Sequence, residues 1–160
     1  MRLTIGAVGR LKVGPERDLC QRYAERAAAA GKALSLSGPV LREAEESRAR
    51  RPEDRKSEEA GFLRAFVPSG AALVALDERG KTLTSADFAA LIARWRDSGR
   101  KDACFLIGGA DGLDSHLRDQ AEMTLSFGAM TLPHQLVRVL ALEQIYRAVS
   151  ILSGHPYHRA

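Results

Sequence analysis

Three short segments contain residues that could bind a ligand or carry out chemistry. The first is the glycine-rich turn GGADG at positions 108–112, which follows the apolar run ACFLI at positions 103–107. In an open parallel sheet, ligands bind outside the carboxyl ends of the strands, and glycines there let the backbone approach a ligand closely. The spacing differs from the dinucleotide-binding motif G-x-G-x-x-G, and the Lys and Ser/Thr of a P-loop are absent. The turn therefore indicates a small-molecule site, with an ordinary tight turn as the alternative.

The second segment is LSFGAMTLPH at positions 125–134. Its small residues and Gly128 predict a flexible loop whose backbone groups could hydrogen-bond to the edge of an adenine ring. Pro133 then begins a helix, and the free N–H groups at a helix N-terminus favour negative charge. An ordinary connection between a strand and a helix is the alternative on these residues alone.

The third segment is the tail HPYHRA at positions 155–160. Aromatic side chains stack on unpaired bases, arginine pairs with phosphate, and histidine can accept a proton near neutral pH. A frayed chain end is the alternative.

The other histidines are weaker candidates for a functional role, since His116 is expected at the surface and His134 at the start of the last helix. No nucleophile elbow and no His/Asp/Glu cluster of a metal site is present in the sequence.

The elements that must position these segments follow from apolar patterns and turn residues. The continuous apolar runs at positions 71–76 and 103–107 are typical of strands buried on both faces of a parallel sheet. Further strands are predicted at positions 3–8, 33–36 and 123–125, a polar loop at 77–80, and helices at 15–30, 58–67, 115–121 and 133–153. Another helix is predicted from a capping Thr84 to Gly99, with Trp95 on its buried face. This alternation predicts one α/β domain over residues 1–160, with a mainly parallel sheet and helices on both faces.

Residues 42–59 stand out because 13 of these 18 residues are charged, with both signs mixed. Such a stretch is typical of a solvated helix face or a mobile connector. An RNA-contacting arm is the alternative, favoured by five basic residues: Arg48, Arg50, Arg51, Arg55 and Lys56. The net charge of +4 is compatible with a polyanionic partner.

Composition places the chain among ordinary globular proteins. Its length of 160 residues is that of one domain, and Cys20 and Cys104 are expected to be buried small hydrophobes rather than ligands or a disulfide. No apolar run approaches the roughly 20 residues that cross a bilayer, and no signal peptide is recognisable. The expectation is a cytoplasmic protein without a membrane partner.

The ligand-binding segments together closely resemble one family. The stretches LIGGADGL (106–113), 125–134, VRVLALEQIYRA (137–148) and HPYHR (155–159) are similar to those of the RlmH family, the ribosomal large subunit pseudouridine N3-methyltransferases of the SPOUT superfamily. The opening residues 3–9, the strand end at Leu76 and the whole length match as well. The resemblance implies a C-terminal trefoil knot, an exception among folds, and a homodimer. It also implies S-adenosyl-L-methionine as cofactor and a pseudouridine of 23S rRNA in the ribosome as substrate.

The resemblance also implies which residues form the site. The cofactor pocket would comprise Leu76, Gly108, Phe127, Gly128, Ala129, Met130, Thr131 and Leu132. The tail would reach the active site across the dimer, which makes Tyr157, His158 and Arg159 the candidate catalytic residues. No metal is implied.

Methyl transfer to N3 requires a group that assists loss of the N3 proton, because an imide N–H is a poor nucleophile until its proton leaves. Our hypothesis is that His158 assists this deprotonation, while Arg159 or Arg138 holds an RNA phosphate. Tyr157 would alternatively stack on the base. Two other functions remain open, a SPOUT methyltransferase acting on tRNA and a non-catalytic RNA-binding factor with the same fold. A dinucleotide-binding enzyme is disfavoured by the glycine spacing.

Overall fold

The computed structural model describes residues 1–158, in which strands and helices alternate along the chain. The elements in order are β1 Arg2–Val8, α1 Pro15–Gly31, β2 Ser37–Ala44, α2 Pro52–Arg64, β3 Ala72–Lys81, α3 Ser85–Asp97, β4 Asp102–Ile107, α4 Ser115–Asp119, β5 Met123–Leu125 and α5 His134–Leu152. The strands form one parallel sheet in the order β2-β1-β4-β3-β5. The predicted α/β architecture is therefore confirmed.

Helices cover both faces of the sheet, as predicted. Side chains of α1, α3 and α5 pack into the larger apolar cluster on one face, and those of α2 and α4 into a smaller cluster on the other. Burial on both faces explains why β4 is a continuous apolar run, with every residue after Asp102 buried. The trefoil knot stays a prediction from the resemblance.

A local capping signal accounts for the start of α3. The Thr84 hydroxyl accepts a hydrogen bond from the Asp87 backbone N–H at 3.1 Å, which caps α3. Trp95 lies in the core, as its helical spacing predicted.

Cys20 and Cys104 are free and buried, and burial raises the pKa of both thiols to about 11. They act as small core residues.

The prediction of a strand at positions 33–36 was wrong. Lys32–Leu34 form a single 3-10 turn instead, and the strand runs from Ser37 to Ala44. Gly38 and Pro39, expected to follow the strand, lie inside it. Proline is tolerated there because β2 is an edge strand and its pairing with β1 is irregular near this point.

Two further boundaries differ from the prediction. Helix α2 begins at Pro52 and not at Glu58, because proline suits a first helical turn and two acidic residues follow it. Residues 77–80, predicted as a loop, belong to β3, although the pairing is irregular because Leu76 and Lys81 are both paired with Leu125. A Cβ on Gly80 would lie 2.7 Å from the Thr124 carbonyl oxygen, so glycine permits this close approach of β3 to β5.

Parallel strands bring all their carboxyl ends to one edge of the sheet. The glycine-rich turn follows β4 there, the 126–132 loop follows β5, and α5 starts beside them. Within residues 1–158 no helix is both long and apolar enough to cross a membrane. The fold therefore gathers the candidate ligand-binding segments at one place.

Candidate active site

A cavity of about 530 Å³ lies at the carboxyl edge of the sheet. Its walls are the ends of β3 and β4, the glycine-rich turn, the 126–132 loop and the first turn of α5. This volume lies within the usual range of small-molecule sites. The position is that expected of a ligand site in an open parallel sheet.

The structure brings most of the sequence-predicted cofactor residues together around this cavity. Those lining it are Leu76, Gly108, Phe127, Gly128, Met130, Thr131 and Leu132. Ala129 belongs to the same loop but is not among the lining residues. Leu125 and His134, in the candidate segment 125–134, also line the cavity, whereas Asp77, Glu78 and Ile107 were not among the predicted site residues. Their signal was position, since Ile107 ends β4, and Asp77 and Glu78 directly follow Leu76, the last residue of β3 that pairs with β4.

The glycine-rich turn folds tightly back on itself. A Cβ on Gly108 would lie 2.6 Å from the Gly112 carbonyl oxygen and 2.7 Å from the Leu113 nitrogen, so any side chain there would push the turn apart. Gly112 has a φ of +83° and donates its N–H to the Gly109 carbonyl oxygen at 3.0 Å. The Asp111 carboxylate pairs with Arg55, whose Nε lies 2.6 Å from Oδ2. This hydrogen bond lowers the pKa of Asp111.

The 126–132 loop is held by its own polar side chains. The Ser126 hydroxyl donates to the Gly128 carbonyl oxygen at 2.8 Å and accepts from the Gly128 N–H at 3.0 Å. The Thr131 hydroxyl donates to Glu78 Oε2 at 2.8 Å, which joins the loop to the extension of β3. Local hydrogen bonds therefore connect the loop to itself and to β3.

The first turn of α5 contributes His134, a half-buried residue. Burial, reinforced by the nearby Arg138, lowers the pKa of His134. The imidazole is consequently neutral at pH 7 and can accept a hydrogen bond in the cavity.

Arg138, one turn further along α5, is completely buried. Its Nη1 lies 2.9 Å from Glu43 Oε1, and its Nη2 donates to the Val8 carbonyl oxygen. Because no part of the side chain reaches the surface, the hypothesis that Arg138 holds an RNA phosphate was wrong. The residue joins α5 to the ends of β1 and β2.

The tail packs back on α5 of its own chain. The Tyr157 hydroxyl donates to Glu143 Oε1 at 3.1 Å, its ring lies 4.5 Å from that of Tyr146, and the Arg147 guanidinium covers it at 4.9 Å. Burial, followed by hydrogen bonds to Tyr23 and Glu143, raises the pKa of Tyr157. Arg159 lies outside the described residues.

His158 and Tyr157 do not line the cavity of their own chain. Glu143, the residue that holds Tyr157, is nine positions beyond His134, a distance of about 13 Å along the helix axis. The Nδ1 of His158 is buried and has no hydrogen-bond partner among the described residues. Within one chain the tail and the cavity are therefore separate features.

A family model described as "Predicted SPOUT methyltransferase" matches residues 1–158. The chain belongs to the SPOUT methyltransferase family. Two bacterial relatives are named "Ribosomal RNA large subunit methyltransferase H". The one from Rhodopseudomonas palustris is 57% identical over 160 residues and covers 100% of both chains. The one from Agrobacterium fabrum is 57% identical over 159 residues and covers 99% of both.

A solved structure shares the family fold. It is "a probable methylase family protein from Haemophilus influenzae Rd KW20", with a TM-score of 0.51 and 11% identity over 99% of this chain and 70% of that chain. At this identity the likeness concerns the fold alone, and it agrees with the SPOUT-like α/β architecture. In the described part of the chain, no group of His, Cys, Asp or Glu side chains is arranged to hold a metal ion.

Behind the glycine-rich turn lies a buried carboxyl group, that of Glu59, and it yields a pH-dependent prediction. Burial raises the pKa of Glu59 above its ordinary value of 4.5, although its Oε1 accepts the Ser47 N–H at 3.0 Å. The folded state thus binds this proton more tightly than the unfolded chain, so this group loses stabilising effect as pH rises through its folded pKa. We expect Glu59→Gln to match the native protein in stability at pH 4 and to exceed it at pH 7.5. Urea unfolding at both pH values measures this, and a pH-independent difference would contradict it.

Proposed function

We propose that this chain is an S-adenosylmethionine-dependent methyltransferase of large-subunit rRNA, and that it methylates N3 of a pseudouridine in 23S rRNA. The observation that carries the proposal is the cavity built from Leu76, Gly108 and the 126–132 loop, in a chain 57% identical over its full length to a relative named for rRNA methylation. Such an enzyme is expected in the cytoplasm, where ribosomes are.

The residues around the cavity suit a nucleoside cofactor with a positive charge. Leu76, Ile107 and Leu125 offer apolar contacts for a flat ring. At Gly112 and Gly128, which also line the cavity, a Cβ would meet no atom within 4 Å, so bare backbone faces open space there. The Glu78 carboxylate adds negative charge, which favours a sulfonium. When bound, S-adenosylmethionine supplies an electrophilic methyl group.

The remaining requirement is a group that takes the N3 proton. Histidine is suited to this near neutral pH, and His158 has an unpartnered buried Nδ1. Because the tail is remote from the cavity of its own chain, we propose a homodimer in which the partner's tail completes each site. Arg159 would then hold a phosphate, and Tyr157, packed against Tyr146 and Arg147, would hold the tail on α5.

The direct test uses ribosomal subunits that lack the methyl group. We expect the protein to bind S-adenosylmethionine in a calorimetric titration and to add one methyl group to a 23S rRNA pseudouridine, located by mass spectrometry. Methylation of tRNA but not of 23S rRNA would show that the substrate is tRNA. Failure to bind the cofactor would instead indicate an RNA-binding factor without methyltransferase activity.

The hydrogen bond between Thr131 and Glu78 holds the 126–132 loop to β3. Thr131→Val removes the hydroxyl that donates to Glu78 at 2.8 Å, and one such bond contributes enough to raise the dissociation constant of S-adenosylmethionine about threefold to tenfold. Thr131→Ser, which keeps the hydroxyl, is the matched control. Equal affinities of the two variants in calorimetry would argue against the role of this bond.

A further inference from the structure

The loop between β2 and α2, residues 45–51, lies at the same edge of the sheet as the cavity, and we call it the arginine loop. It follows the carboxyl end of β2 and precedes the first residue of α2. Its three arginines, Arg48, Arg50 and Arg51, are exposed. The sequence alone left this stretch open between a solvated connector and an RNA-contacting arm.

The backbone of the arginine loop is fixed by side chains of α2. Ser47 donates its N–H to Glu59 Oε1 at 3.0 Å and its hydroxyl to Glu58. The Arg55 Nη1 donates to the carbonyl oxygens of Ala49 and Arg50, both at 3.0 Å. Four hydrogen bonds thus connect the loop to the helix, unlike a mobile connector.

Arg55 also connects the arginine loop to the cavity. Its Nε lies 2.6 Å from Oδ2 of Asp111, in the glycine-rich turn that lines the cavity. The Arg55 guanidinium therefore forms hydrogen bonds with both the loop backbone and the cavity wall. The loop keeps a fixed position beside the proposed methylation site.

The interlocking leaves the three arginines without an ion-pair partner among the residues that the structure describes. Glu45 pairs with Arg10, and Glu58 and Glu59 accept hydrogen bonds from Ser47. Along residues 1–158, Arg48, Arg50 and Arg51 form no ion pair. The loop has no large apolar side chain either, which disfavours a membrane surface or a protein groove as its partner.

We propose that the arginine loop binds the sugar–phosphate backbone of rRNA next to the nucleotide to be methylated. The proposal rests on the proposed function and adds a substrate-binding surface to it. Arginine forms forked, charge-assisted hydrogen bonds with phosphate oxygens. Because the loop backbone is already held in place, less conformational entropy is lost when RNA binds.

The test compares two triple variants with equal loss of charge. Arg48, Arg50 and Arg51 are replaced by glutamine in one, and Arg64, Arg94 and Lys101 in the other. The control residues are also exposed, and they lie at the ends of α2 and α3 and before β4, at the opposite edge of the sheet. Binding to unmethylated large ribosomal subunits is measured between 50 and 300 mM KCl (about a sixfold range of salt).

We expect the arginine-loop variant to bind subunits at least about tenfold more weakly, with the slope of log Kd against log salt reduced by roughly two to three. The control variant keeps the slope of the native protein, and both variants keep its affinity for S-adenosylmethionine. Equal slopes for the two variants would overturn the proposal. Failure of the proposed function is distinct, because there the native protein itself would not methylate subunits, and the slope comparison would still decide whether the loop binds RNA.

Discussion

Replacing His158 with alanine is expected to lower the rate of rRNA methylation by roughly 10²- to 10⁴-fold, the usual contribution of a general base. The affinity for S-adenosylmethionine is expected to stay within about twofold of the native value, because the proposed role of His158 is to take the N3 proton and not to bind the cofactor. Single-turnover methylation of ribosomal subunits and calorimetry measure the two quantities. Unchanged turnover would contradict the role of His158, and lost cofactor affinity would assign it to cofactor binding.

The same variant tests whether the tail acts across a dimer. A second variant, Thr131→Arg, places bulk and positive charge at the exposed cavity rim and is expected to abolish cofactor binding. When the two variants are mixed one to one, about half of the dimers contain one chain of each. If the tail acts across the dimer, each mixed dimer has one complete site out of two, so about a quarter of native activity returns. If each tail served its own cavity, mixing two inactive variants would restore nothing.

The parts of the fold that could be predicted from sequence are those with strong local signals. The apolar runs of β3 and β4, the Thr84 cap of α3 and the proline before α5 each determine structure within a few residues. Parallel pairing then brings the strand ends together. For this reason the positions of the glycine-rich turn and the 126–132 loop followed from the order of elements.

The parts that could not be predicted depend on contacts between distant residues. Strand β2 carries charged residues among apolar ones because it is an edge strand, and only its pairing with β1 identifies it. The burial of Arg138 depends on Glu43, 95 positions earlier. In the site, the hydrogen bond between Glu78 and Thr131 joins residues 53 positions apart. No periodicity or motif encodes such pairings.

The buried ion pair between Arg138 and Glu43 leads to the largest stability effect we expect. Glu43→Ala should lower the free energy of unfolding by about 3–5 kcal/mol, because it leaves a completely buried guanidinium without its carboxylate. It also removes the acceptor of the Leu11 N–H, which lies 2.8 Å from Glu43 Oε1. Urea unfolding followed by circular dichroism measures the change.

A matched control and a second substitution identify the cause. Glu45→Ala removes a carboxylate from an exposed pair with Arg10, where the two side chains are 76% and 72% exposed, and should cost at most about 1 kcal/mol. Adding Arg138→Met to Glu43→Ala should restore part of the lost stability, because the double variant no longer buries an unpaired charge. A double variant less stable than Glu43→Ala would contradict this. The loss would then come from the hydrogen bond to the Val8 carbonyl oxygen and from the packing of the arginine stem, which methionine only partly replaces.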